Sequence, residues 1–204
     1  MKKLLQRLLF GGLGVALLAA CSAEGVNEEM SALNASSATM SSQDLSINDL
    51  VGEWKIVSMT SVAYEEHPAV AVDFNKDGNF TFDLMEESTC FNIMSFDFRS
   101  NGTVYTNQAR LFFDNTTGKF ECQGTGLYTA GYEISGNDLS VTFTADGIEY
   151  TQVKTIYRYS EDGAEYLTVT LTEQETDSAV YVNNDPGNTV ASDIKKIEMV
   201  YKKQ

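Results

Sequence analysis

Apolar and polar residues alternate with a period of two through most of the chain. In "NFTFDL" Phe80, Phe82 and Leu84 take alternate places; in "DLSVTFT" Leu139, Val141 and Phe143 do so. "YLTVTLT" sets Leu167, Val169 and Leu171 on one side and Thr168, Thr170 and Thr172 on the other. Side chains of a strand point to opposite faces in turn, so this pattern predicts half-buried antiparallel strands. No stretch carries the spacing of an amphipathic helix. Between the runs one motif recurs: "FNKDG" (74–78), "FRSNG" (98–102), "FTADG" (143–147) and "YSEDG" (159–163). Asp-Gly and Asn-Gly pairs tolerate the positive φ that tight hairpins need. With "ISGNDL" and "DNTTGK" as further turns, the chain reads as all-β, a meander of about nine or ten antiparallel strands. Closing such a meander removes its edges, so an up-and-down β-barrel is expected, with a two-sheet β-sandwich as the alternative.

The first "FNKDG" copy lies in "VDFNKDGNFTF", where Asp73, Asn75, Asp77 and Gly78 have the spacing of a calcium loop. The position of its bidentate glutamate is held by Leu84, which removes the strongest ligand. The copy at 97–102 has Arg99 at a ligand position. The motif is therefore read as a turn, and no metal site is assigned.

Residues 1–20 have the plan of a secretory leader: Lys2, Lys3 and Arg7, then an apolar run from Leu8 to Leu18, then small residues. The run is shorter than the roughly 20 residues of a permanent span. "LAAC" (18–21) resembles the lipobox of bacterial lipoproteins, which implies that Cys21 is acylated, for example with palmitate, and becomes the first residue after cleavage. Acyl chains of this kind hold a protein on a membrane at about 0.8 kcal/mol per buried methylene. The expected location is the outer membrane, on its periplasmic face or at the cell surface. Residues 21–48, rich in Ser, Ala, Asn and Thr, read as the anchor and a flexible tether. The remaining 49–204 are enough for one domain with its own core.

Charge narrows the partners. The 204-residue chain has 14 basic and 29 acidic side chains, a net −15. Removing Lys2, Lys3 and Arg7 leaves 11 basic against 29 acidic, a net −18. Such a surface repels phosphate backbones, so no nucleic-acid partner is expected and membrane contact falls to the lipid. With Cys21 acylated, Cys90 and Cys122 remain as an even pair in an exported chain, which reads as a disulfide; ligation of a metal is the rival. The one histidine, His67, stands in "YEEHPAV" with no nucleophile motif around it. Neither catalytic residues nor a cofactor are assigned, and the protein is read as a monomer and not an enzyme.

At "NDLVGEWKIVS" the chain resembles the start of the lipocalin fold, with Gly52, Glu53 and Trp54 forming Gly-x-Trp. Cys90, "SFDFRSNGTVYT", Cys122, "GYEISGNDLSVTF" and the last strand "IEMVYKK" follow in the order of the lipocalin-like domain family of bacterial lipoproteins. The resemblance implies that Gly52 and Trp54 close one end of the barrel. The family usually sets an arginine of a late strand against this tryptophan. Here no arginine follows Arg158, so Lys195, Lys196, Lys202 or Lys203 would have to serve. The aromatic residues on the apolar phase are Phe80 and Phe82, Phe96 and Phe98, Tyr128 and Phe143, then Tyr150 and Tyr201. They are candidates to line a cavity for a small apolar ligand. The alternative is a solid barrel that recognises partners through its loops, the turn-rich 174–193 being the foremost.

Overall fold

The alternating runs become strands, and the glycine turns reverse the chain between most of them. A computed structural model describes residues 39–40, 44–145, 147–181 and 191–204. The leader and Cys21 lie outside the described residues, as does most of the tether. In chain order the elements are β1 (Thr39–Met40), helix α1 (Ile47–Leu50), β2 (Gly52–Ser61), helix α2 (Leu84–Glu87), β3 (Ser95–Phe98), β4 (Thr103–Asn107), β5 (Ala109–Asp114), β6 (Lys119–Gly124), β7 (Tyr128–Ser135), β8 (Asp138–Ala145), β9 (Ile148–Glu161), β10 (Ala164–Thr170), helix α3 (Glu173–Ala179), β11 (Val180–Tyr181) and β12 (Ile197–Lys203). They belong to one compact unit, Ser36–Gln204.

Eight strands close on themselves in the order β9-β10-β12-β2-β3-β4-β7-β8, with β8 pairing back to β9. All neighbours around the ring are antiparallel. The expected up-and-down barrel is present, and the sandwich alternative is not the fold. The wall holds eight strands because two runs expected in the meander stand outside it. One is the hairpin β5–β6, which pairs with the parallel β11 as a separate small sheet. The other is the segment after β2, where "NFTFDL" contributes only isolated bridges, Val72↔Thr81 and Thr60↔Asp83.

That second segment shows why alternation misled. Asp83 accepts from the Met59 and Met85 amides, and the Ser61 amide donates to the Phe82 carbonyl. Asp83 is thus turned toward β2, and Thr81 pairs with Val72 and donates its hydroxyl to Glu86, leaving Phe80 55% and Phe82 49% exposed. Nor is "FNKDG" a hairpin between barrel strands. The Asp73 carboxylate is buried and accepts from the Asp77 and Gly78 amides, both at 3.0 Å, while Glu87 accepts from Phe74 at 3.1 Å.

β2 changes phase along its length: Trp54 and Ile56 face inward, then Met59 and Ser61. Its partner β12 pairs Tyr201 with Ile56 but Val200 with Ser58. Val57 is therefore the extra residue of a bulge, which bends the strand and resets its alternation.

Trp54 plugs one end of the barrel. It is fully buried, and its indole Nε1 donates to the Leu50 carbonyl of α1 at 2.6 Å, so the plug leaves no unpaired donor. Lys203 lies over the ring at 5.2 Å, in the role left open among the four lysines. Lys203 pairs with Glu165, Glu165 with Arg158, and Arg158 with Asp49 of α1. Gly52 enters at φ 126°, and a Cβ there would stand 3.1 Å from the Lys203 Cε.

The small sheet is fixed by the Cys90–Cys122 disulfide, Cα–Cα 5.3 Å, which joins the 3-10 turn Thr89–Ile93 to β6. A loop of about 33 residues closed this way contributes roughly 3.7 kcal/mol in the chain-entropy model. Part of the 174–193 stretch, expected as a loop, forms α3 and β11. Thr172 and Glu175 make a reciprocal capping box at the start of the helix.

Replacing Gly52 with Ala is expected to destabilise the protein by about 1–3 kcal/mol, because the new Cβ meets both a strained φ and Lys203. Urea unfolding measures this; an unchanged midpoint would mean that the closed end tolerates a side chain at this position.

Candidate ligand cavity

The barrel interior beyond the Trp54 plug is not filled. A cavity of about 610 Å³ runs from the barrel walls toward the small sheet and α3. This lies within the range of roughly 300–1,000 Å³ usual for small-molecule sites. Its inner walls are apolar and buried: Phe98 of β3, Leu139 of β8, Ile156 of β9, Leu167 of β10 and Met199 of β12. Each is an inward position of a barrel strand, placed there by the period-two pattern. Val141 and Val169 continue the same rows.

The opposite side is polar, half-buried at Lys154 and Glu175 and exposed elsewhere. Arg110 and Gln123 come from the small sheet, Gln152 and Lys154 from the first half of β9, and Glu175 and Ser178 from α3. Arg110 Nε donates to Gln123 Oε1 at 2.6 Å across the β5–β6 pair. Lys154 bonds to Glu175, whose Oε2 also accepts from the Thr172 amide at 2.9 Å and hydroxyl at 2.8 Å. Burial pushes the Glu175 carboxyl up, but the bonds from Lys154 and Thr172 and the Lys154 charge more than offset it. The net shift is downward.

The expected aromatic lining divides into three groups. Phe96, Phe98, Tyr128 and Phe143 line the cavity. Tyr150 stacks on Phe143 at 5.6 Å but is half-exposed at the rim, while Tyr201 is fully buried and packs tilted against Phe96 at 5.1 Å behind the lining. Burial pushes the Tyr201 hydroxyl well above the usual tyrosine range, so it stays neutral. Phe80 and Phe82 stand outside the barrel because their segment is not a barrel strand. The sequence reading missed the polar side of the cavity. In "YTQVKTIY" the inward phase of β9 is Gln152, Lys154 and Ile156, polar before apolar, and that break marks where the wall meets water. The signal for α3 was Thr172-x-x-Glu175, the spacing of a capping box.

The Gly-x-Trp plug, the closed eight-strand wall and the cavity above it are the parts of a lipocalin. The model of the lipocalin-like domain matches residues 50–162, more than half of the chain. The chain belongs to this family. The matched span runs from the end of α1 through β9; β10 follows it directly, and β12, after α3 and β11, completes the barrel. No curated protein and no solved structure matches the chain. The lipocalin-like domain here therefore stands on its family match and its own geometry. Membership points to the binding of a small molecule in the barrel.

A depressed carboxyl stabilises the fold above its unfolded pKa, about 4.3 for glutamate, and this stabilisation is lost as pH falls through the folded value. Glu175→Gln keeps the shape but removes the charge. The variant is expected to be less stable than the parent near about pH 7 and to converge with it near about pH 3. Urea midpoints at both pH values measure this, and a constant gap would remove the ion pair as its cause.

Proposed function

We propose that the protein is a lipid-anchored binder of the cell envelope that holds one small, largely apolar molecule in its barrel. The observation that carries this reading is the cavity of about 610 Å³, walled by buried apolar side chains and sealed at one end by Trp54. The cavity favours a ligand over the solid barrel considered as the alternative, because a filled interior would leave no such volume between Phe98, Leu167 and Met199. Burying a ligand of this type is driven by the apolar area it removes from water, at about 25 cal/mol per Å².

What supports binding is the lining itself: its inner walls are apolar, and its charged pair, Lys154 and Glu175, is bonded to each other. His67 is exposed, paired through its backbone with Tyr64. The anchor rests on the leader and "LAAC" ending at Cys21. The membrane proposed is the outer one, on its periplasmic face or at the cell surface.

Protein purified from its own host is expected to carry a small molecule detectable by native mass spectrometry and organic extraction. Resupplying that molecule at about a hundredfold excess over its dissociation constant should stabilise the stripped protein by about 2.7 kcal/mol. Phe143→Glu, which puts a charge in the lining, should abolish the gain. Absence of a bound molecule, together with a melting temperature unmoved by fatty acids, sterols, haem and host extract, would overturn the binding reading.

Cell fractionation tests the anchor separately. Cys21→Ser is expected to move the protein from the membrane to the soluble fraction. Retention with the membrane at the parent's level would remove lipidation as the attachment.

A further inference from the structure

The charges at the cavity have the opposite balance from the chain around them. The chain carries a net −15, yet the charged side chains of the lining are Arg110, Lys154 and Glu175, two cations and one anion. Lys154 and Glu175 neutralise each other, and the Glu175 carboxylate is further held by Thr172. Arg110 is different. Arg99 pairs with Asp97, and Arg158 pairs with Asp49 and Glu165. Among the described residues Arg110 pairs with no carboxylate, and its one side-chain hydrogen bond, from Nε, goes to the neutral Gln123 Oε1. Among the described residues, an acidic protein thus leaves one guanidinium without a counter-charge, at the exposed side of its cavity.

Polarity along the cavity gives the second observation. Phe98, Leu139, Ile156, Leu167 and Met199 are buried, whereas Arg110, Gln123 and Gln152 are exposed. A ligand that matches this gradient has an apolar body for the walls and a polar end that remains at the water. The guanidinium is planar and can offer a fork of N–H donors to two oxygens at once.

We propose that the cavity takes a single-chain amphiphile with an anionic head, a carboxylate or a phosphate, whose chain lies along the apolar walls and whose head bonds to Arg110. This rests on the binding reading above and adds the class of ligand to it. Each methylene that enters the apolar region raises affinity about fourfold until the cavity is full. The head adds a charge-assisted bond, about tenfold at an exposed site. A trimethylammonium head on the same chain meets Arg110 as a like charge and binds least.

The test is titration calorimetry on the delipidated unit Ser36–Gln204, which contains every strand of the barrel. The probes are dodecanoate, dodecyl phosphate, dodecanol and dodecyltrimethylammonium, all below micelle formation. Dodecanoate or dodecyl phosphate is expected to bind about tenfold more tightly than dodecanol, and the tighter of the two identifies the head. Arg110→Gln should bring both anions to the level of dodecanol and leave dodecanol unchanged. Arg110→Lys, which keeps the charge but not the fork, should fall between. Arg110 is exposed, so both variants are expected to melt with the parent. Equal binding of alcohol and anions by the parent, or equal weakening of every probe by Arg110→Gln, would overturn the anionic head and leave the binding reading standing. Failure of all four probes to bind would overturn the single-chain amphiphile and leave the binding reading to its own test.

Discussion

The indole of Trp54 has to be buried without leaving its N–H unpaired, and the way this is met organises the closed end of the barrel. The Leu50 carbonyl accepts the N–H, which fixes α1 across the opening. Lys203 covers the ring from β12, Glu165 of β10 holds Lys203, Arg158 of β9 holds Glu165, and Asp49 returns the chain of charges to α1. Asp49 in turn caps that helix by accepting from Ser46. Five elements are thus joined through one tryptophan. Single exposed ion pairs contribute little, but here each charge holds the next against a buried ring. Gly52 belongs to the same arrangement, because only a residue without Cβ lets β2 begin this close to Lys203.

Sealing one end allows the barrel to leave its middle open. A cavity forfeits contacts that a packed core would make, so cohesion has to be found at its margins. Tyr201 and Phe96 pack between the plug and the cavity, and Phe98 stacks with Phe96 and meets Tyr132 edge to face. At the other end the disulfide pins β6 to the turn before β3, and Lys154–Glu175 ties α3 to the wall. These fixtures surround the opening without filling it. The result is an apolar chamber with a polar rim, in which the lone guanidinium Arg110 faces the site that a ligand's head would occupy.

How much of this was legible in the sequence depends on what each residue had to report. The strands β7, β8, β10 and β12 were readable because their side chains face either core or water, and alternation records that choice directly. Gly-x-Trp was readable because a plug needs both a large ring and a residue of free φ. Cys90 and Cys122 were readable as an even pair. Phe80 and Phe82 misled because alternation states only that two faces differ; Asp83, bonded to β2, decided which face turned inward. Val57 left no mark, since a bulge becomes visible only when β12 is laid beside β2. The count of eight was hidden for a similar reason: β5 and β6 alternate well enough to pass for wall strands, and only pairing shows that they form a second sheet. Arg110 was invisible as a site residue because its lack of a carboxylate is a property of three-dimensional neighbours.

The central claim is that the barrel is closed by Trp54 at one end and receives a ligand chain from the other. A crystal of the folded unit grown with an alkyl carboxylate brominated at its far end tests this most directly. Anomalous scattering is expected to place the bromine among Phe98, Leu167 and Met199, toward the Trp54 plug, with the carboxylate near Arg110. Bromine confined to the outer surface, or an interior in which those side chains meet and leave no space, would contradict the account.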